Sequence, residues 1–257
     1  MSPEVVSRHA LKPVLCHHPV AAKSLATNRP ACSTCRLQSG CLAAGLSASD
    51  LERFGTLVSA HRRLAPGQSL YRSGVPLDAL YVVRSGFVKT VVLLDDGREQ
   101  VTGFFMAGNV LGIDAIGSGI HASDAVALDD CDLCVIPYER LARMSRELQP
   151  LQRQVHRMFS QEIVREQGMM FLLGSMSAEE RVASFLLNLS KCFTARGFSP
   201  SEFLLRMTRE EIGSFLGLKL ETVSRTFSKL HKVGVIEVEG KHVRIVRMSE
   251  LIRIIGR

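Results

Sequence analysis

Between about residues 60 and 138, apolar residues come in short β-type runs separated by turn signals. The runs are 69–71, 79–83, 86–92, 100–105 and 133–137, and Pro66-Gly67, Ser73-Gly74, Ser85-Gly86, Asp95-Asp96-Gly97 and Gly108-Asn109 punctuate them. Short strands at this spacing predict an antiparallel sandwich or jelly-roll barrel. After Pro150, a good first helical residue, the period changes to 3.6 and holds to about Gly174. A helix of that length is roughly 36 Å long, more than a surface cover for a small barrel requires. Val155, Phe159, Ile163, Glu166 and Met170 fall on one stripe, at spacings close to a coiled-coil seam. Such a stripe serves either as a core face within its own chain or as a dimer seam.

Beyond residue 176 the pattern predicts a compact helical unit closed by a hairpin. Ser177-Ala178-Glu179-Glu180 and Thr208-Arg209-Glu210-Glu211 each carry a capping signature ahead of an apolar run. Gly217 interrupts the second run, and a further helix follows from about Leu220 to His231, with Leu220, Val223, Phe227 and Leu230 on its inner face. Two short helices around a glycine turn form a helix-turn-helix. The runs 234–238 and 242–246 then read as a hairpin wing. Residues 1–48, with four prolines and no sustained period, read as mostly irregular, with a short helix starting near Ser47. The expected organisation is an α+β chain: an N-terminal segment 1–48, a β domain 49–147, a long helix 148–175 and a helix-turn-helix domain 176–257.

Charge sharpens this division. The net charge is +7 over 257 residues, and residues 177–257 carry 14 Lys and Arg against 9 Asp and Glu. A basic C-terminal third joined to a slightly acidic middle points to a polyanion-binding module attached to a sensing module. The N-terminus lacks the apolar core of a signal peptide, and no long apolar run appears, so the expected location is the cytoplasm, with no membrane partner.

In a reducing cytoplasm the seven cysteines read as metal ligands or core residues rather than as a disulfide framework. Cys32, Cys35 and Cys41 are spaced C-x2-C-x5-C in a segment with little other structural signal. Close thiolates are soft ligands for zinc, copper(I) or an iron–sulfur cluster, and three of them leave a fourth position to be supplied from elsewhere. The last long helix of the C-terminal unit presents Glu221, Ser224, Arg225 and Ser228 on its outer face. A recognition helix needs such a face: Arg225 can donate two bonds to guanine, and Glu221 can accept one from cytosine N4.

The run from Met207 to Gly213 and the run Leu218-Lys219-Leu220-Glu221-Thr222-Val223-Ser224-Arg225 resemble the winged helix-turn-helix signature of the CRP/FNR family of bacterial transcription regulators. Residues 110–119 and 196–203, with the three N-terminal cysteines, are similar to its FNR branch of oxygen-responsive regulators. The resemblance covers about residues 30–250 and implies a jelly-roll sensory domain, a homodimer made through the long helix, and a palindromic operator on double-stranded DNA. It further implies base reading by Glu221, Ser224 and Arg225, while Ser228 on the same helix face and Thr208 at the cap of the preceding helix are expected DNA-binding residues beside them. Lys219 departs from the family's Ser or Thr cap, and is expected to reach a phosphate instead.

The same resemblance implies a [4Fe–4S] cluster on Cys32, Cys35, Cys41 and a barrel cysteine. Cys134 stands in the family's Cys-x-Ile-Pro context, with Cys131 as a neighbour and Cys16 and Cys192 outside the set. Zinc is the alternative metal, with His17-His18 nearby, and direct thiol redox sensing on the same fold is a second alternative. No cyclic nucleotide is expected, because residues 108–112 and 121–124 lack the glutamate and arginine that hold its ribose and phosphate in the CRP branch. The tip Asp96-Gly97-Arg98 corresponds to a loop that contacts RNA polymerase, although a plain hairpin turn accounts for these residues equally well. The expected function is therefore regulation, mainly activation, of anaerobic or microaerobic genes. An enzyme is not expected, since the C-x3-C-x2-C spacing and α/β barrel of radical enzymes are both missing. Glu166, placed in the seam, is expected to repel its symmetry mate and so oppose dimerisation unless the cluster is bound.

Overall fold

The computed structural model describes residues 32–256. Expectations that concern residues 1–31, including Cys16, His17 and His18, lie outside the described residues. Two short 3-10 turns, Cys32–Thr34 and Gln38–Gly40, lead into α1 (Ala48–Gly55). Ser47 caps that helix by accepting the Asp50 N–H at 3.2 Å, and Leu51 and Phe54 form its buried face.

Eight strands follow: β1 (Ala60–Leu64), β2 (Ser69–Tyr71), β3 (Ala79–Ser85), β4 (Phe87–Leu93), β5 (Glu99–Met106), β6 (Val110–Leu111), β7 (Asp124–Ala127) and β8 (Cys131–Pro137). They pair into two four-stranded sheets, ordered β1-β8-β3-β6 and β2-β7-β4-β5, the jelly-roll-like arrangement. The apolar pattern misses β1, β6 and β7 for a common reason. The first is a polar edge strand, Ala-His-Arg-Arg-Leu, the second is two residues long, and the third is built of small residues between polar ones. Pairing with neighbours, rather than patterning of their own, makes them strands.

Leu70, Val83, Val88, Phe105 and Leu133 fill the space between the sheets. A second apolar cluster covers the outer face of β3 and β8, where Leu80, Val82 and Ile136 meet Leu42, Phe54, Leu151 and Met158. Its roof is the loop before α1, together with α2 (Tyr138–Glu147) and the first turns of α3 (Gln149–Ser175). Pro150 lies in the first turn of α3, where its missing N–H leaves no bond unmade. One side of α3 is buried through Leu151, Met158, Arg165, Met169 and Leu172.

The C-terminal unit consists of α4 (Ala178–Ala195), β9 (Glu202–Leu204), α5 (Arg209–Leu216), α6 (Leu220–Lys232), β10 (Ile236–Glu239), β11 (His242–Ile245) and α7 (Met248–Ile255). Reciprocal capping boxes at Ser177/Glu180 and Thr208/Glu211 start α4 and α5. Gly217 ends α5 in the left-handed region, at φ +61°, which a residue with a Cβ enters only at a cost. The sequence pattern misses β9, which adds a third strand to the wing sheet, and α7, which packs on α4. It also puts Leu220 on the inner face of α6, whereas Leu220 is 44% exposed and Thr226 joins Val223, Phe227 and Leu230 inside. A first-turn side chain leans toward the helix N-terminus, away from the turns whose inner face is covered.

The barrel and the C-terminal unit share one core. Val91, Val101, Phe104 and Met106 from β4 and β5 pack with Phe185, Ile212 and Phe215, and the rings of Phe104 and Phe215 lie 5.0 Å apart. Polar contacts rim this seam: Lys89 to Glu211 at 2.8 Å, the Val101 N–H to Ser214 Oγ at 2.8 Å, Arg196 to the Ala107 carbonyl at 2.8 Å and Arg206 to Asp129 at 3.2 Å.

Candidate functional site

The loop carrying three of the cysteines is held by its own turns. The Cys35 N–H reaches the Cys32 carbonyl at 3.3 Å, the Gln38 N–H reaches the Cys35 carbonyl at 3.2 Å, and the Ala43 N–H meets Cys41 Sγ at 3.3 Å. These turns set the loop on the outer face of β8, where Cys134 stands opposite His61 of β1 and Val82 of β3. Cys32, Cys41 and Cys134 all pack against the apolar cluster under α1 and α3.

Burial sets the chemistry of these thiols. It pushes Cys41 up to about 12, opposed by the Ala43 N–H and reinforced by Cys35 and Cys32. Burial also pushes Cys134 up to about 12; Arg84 opposes it, and Cys32, Cys35 and Cys41 reinforce it. Cys32 is raised by burial and by Cys35, again against Arg84. The four sulfurs thus lie within electrostatic reach of one another, in surroundings that disfavour a bare thiolate. A cation bound among them removes that penalty, so this donor set fits a thiolate-ligated metal centre. Among the described residues, no group of three or more His, Cys, Asp or Glu side chains is drawn together tightly enough for a single metal ion.

Cys131 faces the other way. Three residues from Cys134 along a strand, it must point to the opposite side of the sheet. It packs inside the barrel, with its thiol donating to the Phe87 and Asp129 carbonyls at 3.2 Å each.

On α6, Glu221, Arg225 and Ser228 are exposed and Ser224 is half-buried. Among the described residues, no ion pair or hydrogen bond engages any of these four side chains. The Glu–Arg pair that a merely solvated helix face would form is therefore absent, and both groups are available to a ligand. Lys219 is exposed at the N-cap of α6 and makes no side-chain cap. The Thr208 hydroxyl accepts the Glu211 N–H at 3.1 Å and so caps α5, while the residue itself lies on the surface.

The side of α3 turned away from the barrel carries only the later part of the stripe read from the sequence: Ile163 and Met170 are 58% and 65% exposed, beside Phe171 at 52%. Val155 and Phe159, expected in the same seam, are half-buried and pack instead against the apolar cluster under the helix. Glu166 is not the bare charge that the stripe suggests. Arg165, buried between α3 and the barrel, donates to Glu162 at 2.6 Å and also to Glu166, with its guanidinium 5.9 Å from the Phe105 ring. These groups border a cavity of about 120 Å³ whose barrel wall includes Tyr71, Thr90, Thr102 and Asp114. At the β4–β5 tip, Asp96 accepts the Arg98 backbone N–H at 3.1 Å and its Nε at 2.7 Å, across Gly97 at φ +82°. Arg98 holds the Asp96 carboxyl below its usual range.

Residues 61–147 match the cyclic nucleotide-binding domain family, and residues 180–254 match the Crp-like helix-turn-helix domain. The transcriptional regulatory protein btr of Bordetella pertussis is 42% identical over 226 residues, which cover 88% of this chain and 93% of the relative. The chain belongs to the CRP/FNR family of transcription regulators. The fumarate and nitrate reduction regulatory protein of Escherichia coli K12 is 40% identical over 225 residues, 88% of this chain and 90% of that protein, which places the chain in the FNR branch. Among solved structures, FixK2 from Bradyrhizobium japonicum superposes with a TM-score of 0.71 at 30% identity, covering 77% of this chain and 98% of that one. As a member of this family, the chain is a DNA-binding transcription regulator.

Three charged residues that make long-range or cross-face contacts around these groups escaped the sequence reading. Arg84 approaches the cysteines, Arg165 neutralises the acidic residues of α3, and Lys89 ties the barrel to α5. Each partner lies on another element or arises from rotamer choice, so no spacing signal announces it. The one available hint was that Arg165 falls on the inner stripe of an otherwise apolar helical face.

Proposed function

We propose that this chain is a cytoplasmic, homodimeric, oxygen-responsive regulator, mainly an activator of genes for low-oxygen life, with Cys32, Cys35, Cys41 and Cys134 as ligands of a [4Fe–4S] cluster. The observation that carries the reading is the alternation along β8. Cys134 meets the Cys32–Cys41 loop on the outer face, while Cys131 is turned into the barrel. A zinc ion needs its sulfurs at about 2.3 Å from a single point. A four-iron cluster takes each thiolate on a separate iron, which is the chemistry this reading assigns to the four cysteines. Bound there, the cluster supplies an oxygen-labile link between the loop and the barrel.

The residues around it do the rest. The loop and Cys134 share an apolar cluster with Leu151, Val155, Met158 and Phe159 of α3, so a change in the loop bears directly on the first half of that helix. Its other face, with Ile163, Glu166 and Met170, is the proposed dimer seam, and dimerisation presents two copies of α6 to a palindromic operator. Glu221, Ser224 and Arg225 read bases there, Ser228 and Thr208 support them, and Lys219 holds a phosphate. Asp96, Gly97 and Arg98, at the stiffened hairpin tip, are the proposed RNA polymerase contact. Cyclic nucleotide plays no part in this reading, because the arginine at the cavity, Arg165, is already engaged by Glu162 and Glu166. No helix among the described residues is long and apolar enough to cross a membrane.

Anaerobic purification tests the central step. A brown protein with a broad band near about 400 nm and about four irons per chain is expected. A colourless protein, whether loaded with zinc or metal-free, would overturn it.

A further inference from the structure

Arg84 sits where β3 leaves regular pairing. The β3–β8 register slips between Val83 and Ser85, and a bulge of this kind re-aims the side chain it carries. Arg84 Nη1 meets Asp132 Oδ2 at 2.7 Å and His61 Nδ1 at 2.9 Å, which fixes the guanidinium on the outer face of the sheet. Asp132 is two residues from Cys134, and His61 stands directly across from it, so all four side chains share that face. The Arg84 side chain is 20% exposed, so solvent only partly screens its charge. His61, whose Nδ1 lies 2.9 Å from the guanidinium, stands directly across from Cys134, so this positive charge is held on the cysteine's side of the sheet and close to it.

We propose that Arg84 is an electrostatic partner of the four-cysteine centre, a fixed positive charge that stabilises the thiolate-ligated cluster and slows its loss. The proposal rests on the cluster reading above. Four thiolates around a cluster core of charge about +2 leave a net anionic centre in an apolar recess, and a guanidinium held beside it lowers that cost. Arginine suits the role because it stays charged at any working pH. Asp132 and His61 orient it from the side.

The test compares the parent, Arg84→Gln and Arg84→Lys, each reconstituted with iron and sulfide without oxygen and then challenged with an iron(II) chelator. The decay of the band near about 400 nm and the iron content are followed. Outer-shell partners of metal sites are worth about 10- to 100-fold in affinity, and a partner acting through charge belongs at the low end. Arg84→Gln is expected to lose its cluster about tenfold faster, with Arg84→Lys close to the parent. Added salt should speed the loss in the parent and have less effect in Arg84→Gln. Equal rates in all three proteins would overturn the proposal, as would Arg84→Lys decaying as fast as Arg84→Gln, which would assign the role to shape rather than charge. Should Arg84→Gln not fold, the Arg84→Lys rate and the salt dependence of the parent decide. A parent that takes up no iron rejects the cluster reading itself, an outcome distinct from a stable cluster indifferent to Arg84.

Discussion

Lys89 Nζ lies 2.8 Å from Glu211 Oε1, joining strand β4 of the barrel to α5, the first helix of the helix-turn-helix. The same carboxylate closes the capping box of α5, its Oε2 accepting the Thr208 N–H at 2.7 Å. One side chain therefore both starts the helix and docks it. The barrel and the helix-turn-helix are thus joined through this one carboxylate.

Breaking this link loosens α5 from the barrel. Hydrogen bonds to charged groups contribute about 1.5–3 kcal/mol each, so Lys89→Met should lower stability by roughly that amount in urea unfolding. Backbone amides of 209–216 should exchange faster as well. Unchanged stability together with unchanged exchange would show that the docking does not depend on the pair.

The link also responds to acid. Burial works to raise the Glu211 carboxyl, but the hydrogen bonds from Lys89 and Thr208 prevail and hold it below its usual value. A depressed carboxylate stabilises the fold above its unfolded value, about 4.3, and that contribution disappears as pH falls through the lower folded value. The parent should therefore lose more stability below about pH 4 than Glu211→Gln does, as read by melting temperature against pH.

On α6, Arg225→Ala should weaken operator binding by about 1–3 kcal/mol and relax preference at one base pair of each half-site. Lys219→Ala should weaken binding to all sequences alike and lower the salt slope by about one. Fluorescence anisotropy on a matched and a single-substituted operator separates the two patterns, and a sequence-dependent loss in Lys219→Ala would contradict its phosphate role.

The two barrel cysteines should behave differently. Cys134→Ser is expected to abolish the iron band, whereas Cys131→Ser should keep it and show only the cost of a polar group in the barrel core, about 1–3 kcal/mol. Iron content of anaerobically purified variants reads the first effect and urea unfolding the second. Retention of the full band in Cys134→Ser would remove that residue from the ligand set.

Along α3, Glu166→Ala should strengthen dimerisation and operator binding in air. Arg165→Met should weaken both, because it strips the counter-charge from Glu162 and Glu166 on the face beside Ile163 and Met170. Sedimentation under air and under nitrogen distinguishes these effects. If Glu166→Ala binds the operator no better in air than the parent, the repulsion argument fails.

Much of this architecture follows from the chain alone, because the features concerned are local. Ser177/Glu180 and Thr208/Glu211 are reciprocal caps within three residues, Gly217 is a left-handed stop, and the outer stripes of α3 and α6 follow helical period. The Cys32, Cys35 and Cys41 spacing is local in the same way. Tertiary structure decided everything that depends on which surfaces meet: the strands β1, β6, β7 and β9, the docking of α5 on the barrel through Lys89, the salt bridges of Arg165, and the approach of Arg84 to Cys134. Those contacts join residues far apart in sequence or depend on side-chain direction, and no periodicity encodes either. The separation of Cys131 from Cys134 lies between the two cases. Alternation along a strand puts them on opposite faces, but only the packed barrel determines which face meets the loop from Cys32 to Cys41.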